Sequence, residues 1–222
     1  MTRRNPKNSN KMKTRIITGM LVVAGSLCQG SLIIETFTPN ATITAGNPVG
    51  QTFVGTVSDF STDSLVTGLT LELNVSGGYN GSFVIYLQAP NGTSVSLLNR
   101  PGATVGNPFG YGGSGLNLTL SDAALNAIQS TAETPGAVVT GTYQAADSLA
   151  TLYGSAANGN WTLYFADVNA GGGSPTLNSF SLDITAVPEP VNLALGVFGV
   201  VMAVIGVWRV AARKVKPVAA KF

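Results

Sequence analysis

Leu69, Leu71, Leu73 and Val75 alternate with Thr70, Glu72 and Asn74, and Phe180, Leu182 and Ile184 alternate with Ser179, Ser181 and Asp183. Successive side chains of an extended strand point to opposite faces, so a period of two gives each segment one apolar face and one wet face. A helix with this pattern would scatter its leucines around its whole surface, so these segments bury them only as half-covered strands. Trp161, Leu163 and Phe165 repeat the pattern in WTLYFADV (161–168), and Phe83, Ile85 and Leu87 repeat it in SFVIYL (82–87). Val84, Tyr86 and Tyr164 predict partial cover on the second face of those two runs. Turn formers separate the runs: Gly77-Gly78, Pro90-Asn91-Gly92, Asn107-Pro108, Asn158-Gly159-Asn160 and Gly171-Gly172-Gly173. Residues 121–129 (SDAALNAIQ) alone read as helical, with Ser121 or Asp122 as N-cap. The spacing predicts an all-β domain over 31–186, an antiparallel jelly-roll β-sandwich.

Charge divides the chain into three parts. Six of the 12 basic residues precede residue 16 and five follow residue 208, while Arg100 is the only base between 31 and 190. All ten acids lie in that middle segment, so one base against ten acids gives it a formal charge of −9, with no Lys. Binding nucleic acid needs Lys and Arg clustered on the folded domain, which excludes that partner class.

The ends read as addresses. A basic stretch to residue 15 and an apolar stretch over 16–28 form the two parts of a secretory signal, with signal peptidase cleaving between Gly30 and Ser31. Cleavage there removes Cys28, the one cysteine, and with it disulfide and thiolate chemistry. The alternative, a buried core helix over 16–28, sits poorly beside six flanking bases. Residues 191–208 run 18 positions without a charge, which as a helix span roughly 27 Å and predict one transmembrane helix. Arg209, Arg213, Lys214 and Lys216 follow it with no acid, which places the tail in the cytoplasm, the domain outside and the membrane as a partner.

Val187-Pro188-Glu189-Pro190, then a hydrophobic helix, then a terminal basic cluster together resemble the PEP-CTERM sorting signal of Gram-negative bacteria, here over 187–222. The resemblance implies recognition by an exosortase, processing near Pro188-Glu189-Pro190, and export to the cell surface or extracellular matrix in association with exopolysaccharide. The plain alternative is a Pro-rich linker beside a membrane anchor.

Between the ends, the order of motifs resembles the P/Homo B domain that follows the catalytic domain of proprotein convertases and some bacterial subtilisin-like proteases. The resemblance runs from about 65 to 185 and rests on four features: Pro90-Asn91-Gly92-Thr93, the Leu98 to Arg100 step, Gly159-Asn160-Trp161-Thr162-Leu163 with Asp167, and the closing Leu177-Asn178-Ser179-Phe180-Ser181-Leu182. It implies a β-sandwich that supports a protease without cleaving peptides itself. Gly81-Ser82-Phe83 departs from the family's Gly-Asp-Leu and lacks its acid.

The chain has no His, so a Ser-His-Asp triad, a Cys-His dyad and His-ligated zinc cannot be built. Without Lys between 31 and 190, a Ser-Lys dyad or a Schiff base is excluded as well. Asp122, Asp147, Asp167 and Asp183 are scattered, with no spacing that selects a glycosidase pair. Asp122 and Asp167 are the candidate calcium ligands, calcium being the one cofactor considered; the alternative makes Asp122 a cap and Asp167 a turn former. Tyr79, Tyr86, Phe109, Tyr111, Tyr143 and Tyr153 are candidate stacking platforms for sugars, or packing residues. The glycine run at 110–115 lacks the Lys and the strand-helix setting of a phosphate loop. Six Asn-x-Ser/Thr sequons stand at Asn40, Asn74, Asn80, Asn91, Asn117 and Asn160. The sequence therefore predicts a non-catalytic surface or matrix protein that binds or supports extracellular polysaccharide. The alternatives are an accessory module of a secreted subtilisin-like protease and, more remotely, a carboxylate glycosidase.

Overall fold

The computed structural model describes residues 30–188 and the backbone of 190–214, with side chains of the latter from 196 to 209. The expected signal segment therefore lies outside the described residues, apart from Gly30. Ten strands are present among the described residues: β1 (Ser31–Phe37), β2 (Ala41–Thr42), β3 (Asn47–Val57), β4 (Ser64–Ser76), β5 (Phe83–Gln88), β6 (Ser94–Asn99), β7 (Gly115–Leu120), β8 (Val139–Tyr143), β9 (Gly159–Asp167) and β10 (Thr176–Pro188). They form two sheets, one in the order β1-β10-β4-β7-β8 with β2 beside β10, the other in the order β3-β9-β5-β6. The domain is all-β and sandwich-like.

The alternating residues face the interior as their period requires. Leu71, Leu73, Phe180, Leu182 and Ile184 from the first sheet and Phe83, Ile85, Trp161, Leu163 and Phe165 from the second are at most 1% exposed and belong to one apolar cluster. Phe83 and Phe165 meet edge to face at 5.1 Å, and Phe37 caps Phe180 at 4.9 Å. The indole N–H of Trp161 donates to the Ala157 carbonyl at 3.1 Å, so its burial leaves no polar atom unmet. Val84, Tyr86 and Tyr164 are half-buried on the second sheet's outer face, with the two tyrosine rings 5.9 Å apart.

Two expectations need correction. The sandwich is not wholly antiparallel, because β8 runs parallel to β7, with Leu116 opposite Val139 and Leu120 opposite Tyr143. The connection over 121–138 exceeds the dozen or so residues that a parallel crossover needs. Within it, residues 121–129 form turns rather than a helix. Ile128 N–H donates to the Gln144 carbonyl, and Gln144 N–H donates to the Asn126 carbonyl, so pairing with 144 takes the groups a helix would have used. Ile128 is buried and Leu125 stays in solvent.

Register places the start of β1 and the finish of β10 at one end of the sandwich. Ser31 pairs with Ala186 and Pro188 with Ser64, while the turns after β4 and β9 lie at the other end, where Thr176 pairs with Ser76. One helix, α1 (Pro190–Lys214), follows β10. Its described side chains, among them Phe198, Val200, Met202 and Trp208, are exposed. Among the described residues no helix is long and apolar enough to cross a membrane; five residues of the span expected over 191–208, namely 191–195, have no described side chains.

Candidate functional site

The structure sets the two expected calcium ligands apart. Asp122 follows β7, and Asp167 ends β9 beside the start of that same β7, so the length of β7, about 17 Å, separates them. The link at the near end runs through the 3-10 turn Asn80–Ser82. Asn80 holds Gly115, accepting from its N–H at 3.0 Å and donating to its carbonyl at 3.1 Å, and Ser82 contacts Asp167. The two acids therefore share no cation and form no glycosidase pair, which needs carboxylates within about 10 Å. Among the described residues no three acids converge as metal ligands.

Asp122 is a structural tie. Its Oδ1 accepts from Leu149 N–H at 2.9 Å, and its Oδ2 accepts from Ala150 N–H and Ser148 Oγ–H, each at 2.8 Å. It thus caps the 3-10 turn Leu149–Leu152 from 27 residues away in sequence and binds that turn to the end of β7.

Asp167 is fully buried. Ser82 Oγ lies 2.6 Å from the Tyr79 carbonyl and 2.5 Å from Asp167 Oδ1. The Tyr79 carbonyl already accepts from the Ser82 N–H at 2.8 Å. The Ser82 hydroxyl donates to Asp167 Oδ1, which also accepts from the Asn169 N–H. Burial raises the Asp167 pKa, opposed by Ser82 and the Asn169 N–H, and its Oδ2 meets no partner. Asp167 is thus a buried acid that fixes the turn after β4 to the turn after β9.

A half-buried acid stands at the same end, unforeseen from the sequence. Glu133 Oε2 accepts from Asn80 Nδ2 at 3.1 Å and from Gly113 N–H at 3.0 Å, while Oε1 is buried without a partner. Burial raises its pKa against those two hydrogen bonds. A side chain at Gly113 would overlap both the carboxylate and the Asn80 amide, so glycine is needed there to admit Glu133. The run at 110–115 is therefore a packing device. Asn80 is itself fully buried, which removes its sequon from the list of accessible ones.

The sorting motif straddles a boundary. Val187 and Pro188 close β10 opposite Leu65 and Ser64, Glu189 lies outside the described residues, and Pro190 opens α1. Proline suits the end of a strand and the first position of a helix. Gly30 and Ser31 stand at the start of β1; Arg209, Arg213 and Lys214 fall within the last turns of α1, and Lys216 is outside the described residues. Of the candidate platforms, Phe109 is 60% and Tyr153 41% exposed; Tyr79, Tyr86, Tyr111 and Tyr143 are half-buried.

No family model matches the chain, and no curated protein does. The chain is similar to the crystal structure of the Aeromonas sobria serine protease in complex with the chaperone ORF2, at 16% identity and a TM-score of 0.44, over 72% of this chain and 28% of that one. It is also similar to the crystal structure of the serine protease of Aeromonas sobria, at 15% identity and a TM-score of 0.42, over 70% and 27%. This chain spans little more than a quarter of the length of those protease chains. A likeness of that degree assigns it neither an activity nor a partner.

Proposed function

We propose that this protein is a non-catalytic surface or matrix module: a P-domain-like jelly roll, exported by its N-terminal signal and sorted by an exosortase through its C-terminal segment, that works by binding. The reading is supported chiefly by the course of the chain ends. Both leave the sandwich at one end, and β10 runs into the sorting motif with a single residue between its last position, Pro188, and the start of α1. A domain held by that end presents its loops and open sheet faces outward. The residue inventory supports this reading: no His, no Lys between 31 and 190, Asp122 used as a tie and Asp167 buried. In this reading the uncharged stretch 191–208, whose first five residues have no described side chains, spans the membrane, with Arg209, Arg213, Lys214 and Lys216 on the cytoplasmic side.

The test is the intact mass and C-terminal peptide of native protein recovered separately from membrane and matrix. We expect the matrix form to end between Val187 and Pro190. A chain that keeps Phe222 and stays in the membrane fraction refutes sorting and leaves an anchored protein. Stable co-purification with a subtilisin-like protease would instead make it an accessory module.

A further inference from the structure

Asparagine is followed by glycine at three places, Asn80-Gly81, Asn91-Gly92 and Asn158-Gly159. Such a pair is chemically labile, because glycine has no side chain to shield its backbone nitrogen from the amide carbon of the asparagine before it. In an unfolded chain the three pairs are equivalent. The fold makes them different, through what each amide and each following N–H already holds.

Asn80 is fully buried. Its Oδ1 accepts from Gly115 N–H at 3.0 Å, its Nδ2 donates to the Gly115 carbonyl and to Glu133, each at 3.1 Å, and Gly81 N–H donates to the Tyr111 carbonyl at 2.9 Å. Asn158 is half-buried and held at both ends of its amide by Phe60: Oδ1 accepts from Phe60 N–H at 3.1 Å, and Nδ2 donates to the Phe60 carbonyl at 2.9 Å. Gly159 opens β9 opposite Val57 of β3. Bringing either glycine nitrogen onto its amide carbon would dismantle a buried polar cluster in the first case and the end of the β3–β9 ladder in the second.

Asn91 and Gly92 are both exposed, at the tip of the β5–β6 hairpin, and a Cβ on Gly92 would meet nothing within 4 Å. Two hydrogen bonds shape the tip: Gly92 N–H donates to the Ala89 carbonyl at 2.9 Å, and Thr93 N–H donates to Asn91 Oδ1 at 3.0 Å. Both close within residues 89–93 and involve no other element, so the tip opens while the ladder behind it stays paired. We propose that Asn91 is a site of spontaneous modification in the folded protein, converted to aspartate and isoaspartate while Asn80 and Asn158 are preserved. The Gly92 nitrogen loses its proton to hydroxide and attacks Asn91 Cγ; the N–Cγ bond forms, the Cγ–Nδ2 bond breaks, and ammonia leaves with a proton from water. A second water opens the resulting five-membered imide at either carbonyl. The net reaction turns one amide and one water into one carboxylate and one ammonium ion, with nothing oxidised or reduced. Conversion adds a negative charge to an already acidic segment and removes the Asn91-Gly92-Thr93 sequon. Because no enzyme is needed, the converted fraction rises with the age of the chain.

The test is peptide mass mapping of the full-length protein in detergent micelles, held at mildly alkaline pH with and without urea, which reads the replacement of NH2 by OH at each asparagine. In the folded protein Asn91 should convert at least about tenfold faster than the other two, as an open loop tip does beside closed structure. In urea the three rates should converge, with Asn80 and Asn158 accelerating most. Gly92→Ala should slow Asn91 in urea by about tenfold or more, because its methyl group crowds the attacking nitrogen. Gly92 has a φ of +86°, so that variant is strained when folded, and reading it in urea makes the comparison independent of its stability. Asn80 or Asn158 keeping pace with Asn91 in the folded protein overturns the assignment. So does an Asn91 that stays intact in the folded protein while all three convert in urea, and so does a lack of conversion in either state. None of these outcomes bears on sorting, which the C-terminal mass decides.

Discussion

The raised pKa of Asp167 can be tested by pH. Its folded pKa is raised by burial, so the native chain holds a proton more tightly than the unfolded chain does. Where the folded state binds more protons, stability falls as pH rises. The fall begins near the ordinary Asp value of about 3.9 and is complete above the raised native pKa, each unit of separation being worth about 1.4 kcal/mol. Asp167→Asn removes the titration and keeps the acceptor: its Oδ1 can accept from Ser82 Oγ–H and Asn169 N–H as the carboxyl oxygen does. The variant should therefore match the wild type within about 1 kcal/mol at pH 4 and be the more stable of the two at pH 7. Asp167→Ala leaves Ser82 and Asn169 unmet and should cost about 2–3 kcal/mol at pH 4. Urea unfolding at half-unit steps from pH 4 to pH 8 measures all three. Glu133, also raised, and the negative charge of residues 31–190 contribute in both backgrounds, so the difference between wild type and Asp167→Asn isolates the one group. A wild type that gains stability relative to Asp167→Asn as pH rises would show a stabilised carboxylate and refute the raised pKa.

Asp122→Ala should cost about 1–2 kcal/mol in urea unfolding by uncapping Leu149 and Ala150, and millimolar calcium should leave the Tm of the wild type unchanged. Gly113→Ala should lower Tm by several degrees, since its Cβ overlaps Glu133 and Asn80, whereas Gly106→Ala, in open space, should not. Trp161→Ala should cost about 3–5 kcal/mol, because an entirely buried indole leaves a cavity and its Ala157 partner. Peptide mass mapping of glycosylated material should find Asn80 unmodified in every folded molecule.

Alternation in GLTLELNV, FSLDI and WTLYF settled which side chains face inward, because a period of two leaves a half-buried strand no choice of face. It also placed most turns, since Gly77-Gly78 and Asn91-Gly92 supply conformations that strands refuse. The missing His, and the lack of Lys between 31 and 190, rule out a His-based triad and a Lys-based nucleophile in that segment, and those facts need no coordinates. The segment at 121–129 misled because local apolar spacing is blind to a partner, and Gln144 claims its backbone from fifteen or more residues away. The roles of Asp122 and Asp167 were undecidable for the same reason: a carboxylate is a cap, a ligand or a neutral tie according to what stands within 3 Å, and those neighbours come from distant strands. Glu133 and Asp183 carry no motif at all. The first is set apart by its hydrogen bonds to Asn80 and Gly113, the second by a buried carboxylate oxygen without a partner. Only the tertiary structure brings those pieces together, because burial and hydrogen-bond satisfaction depend on everything that packs around an atom.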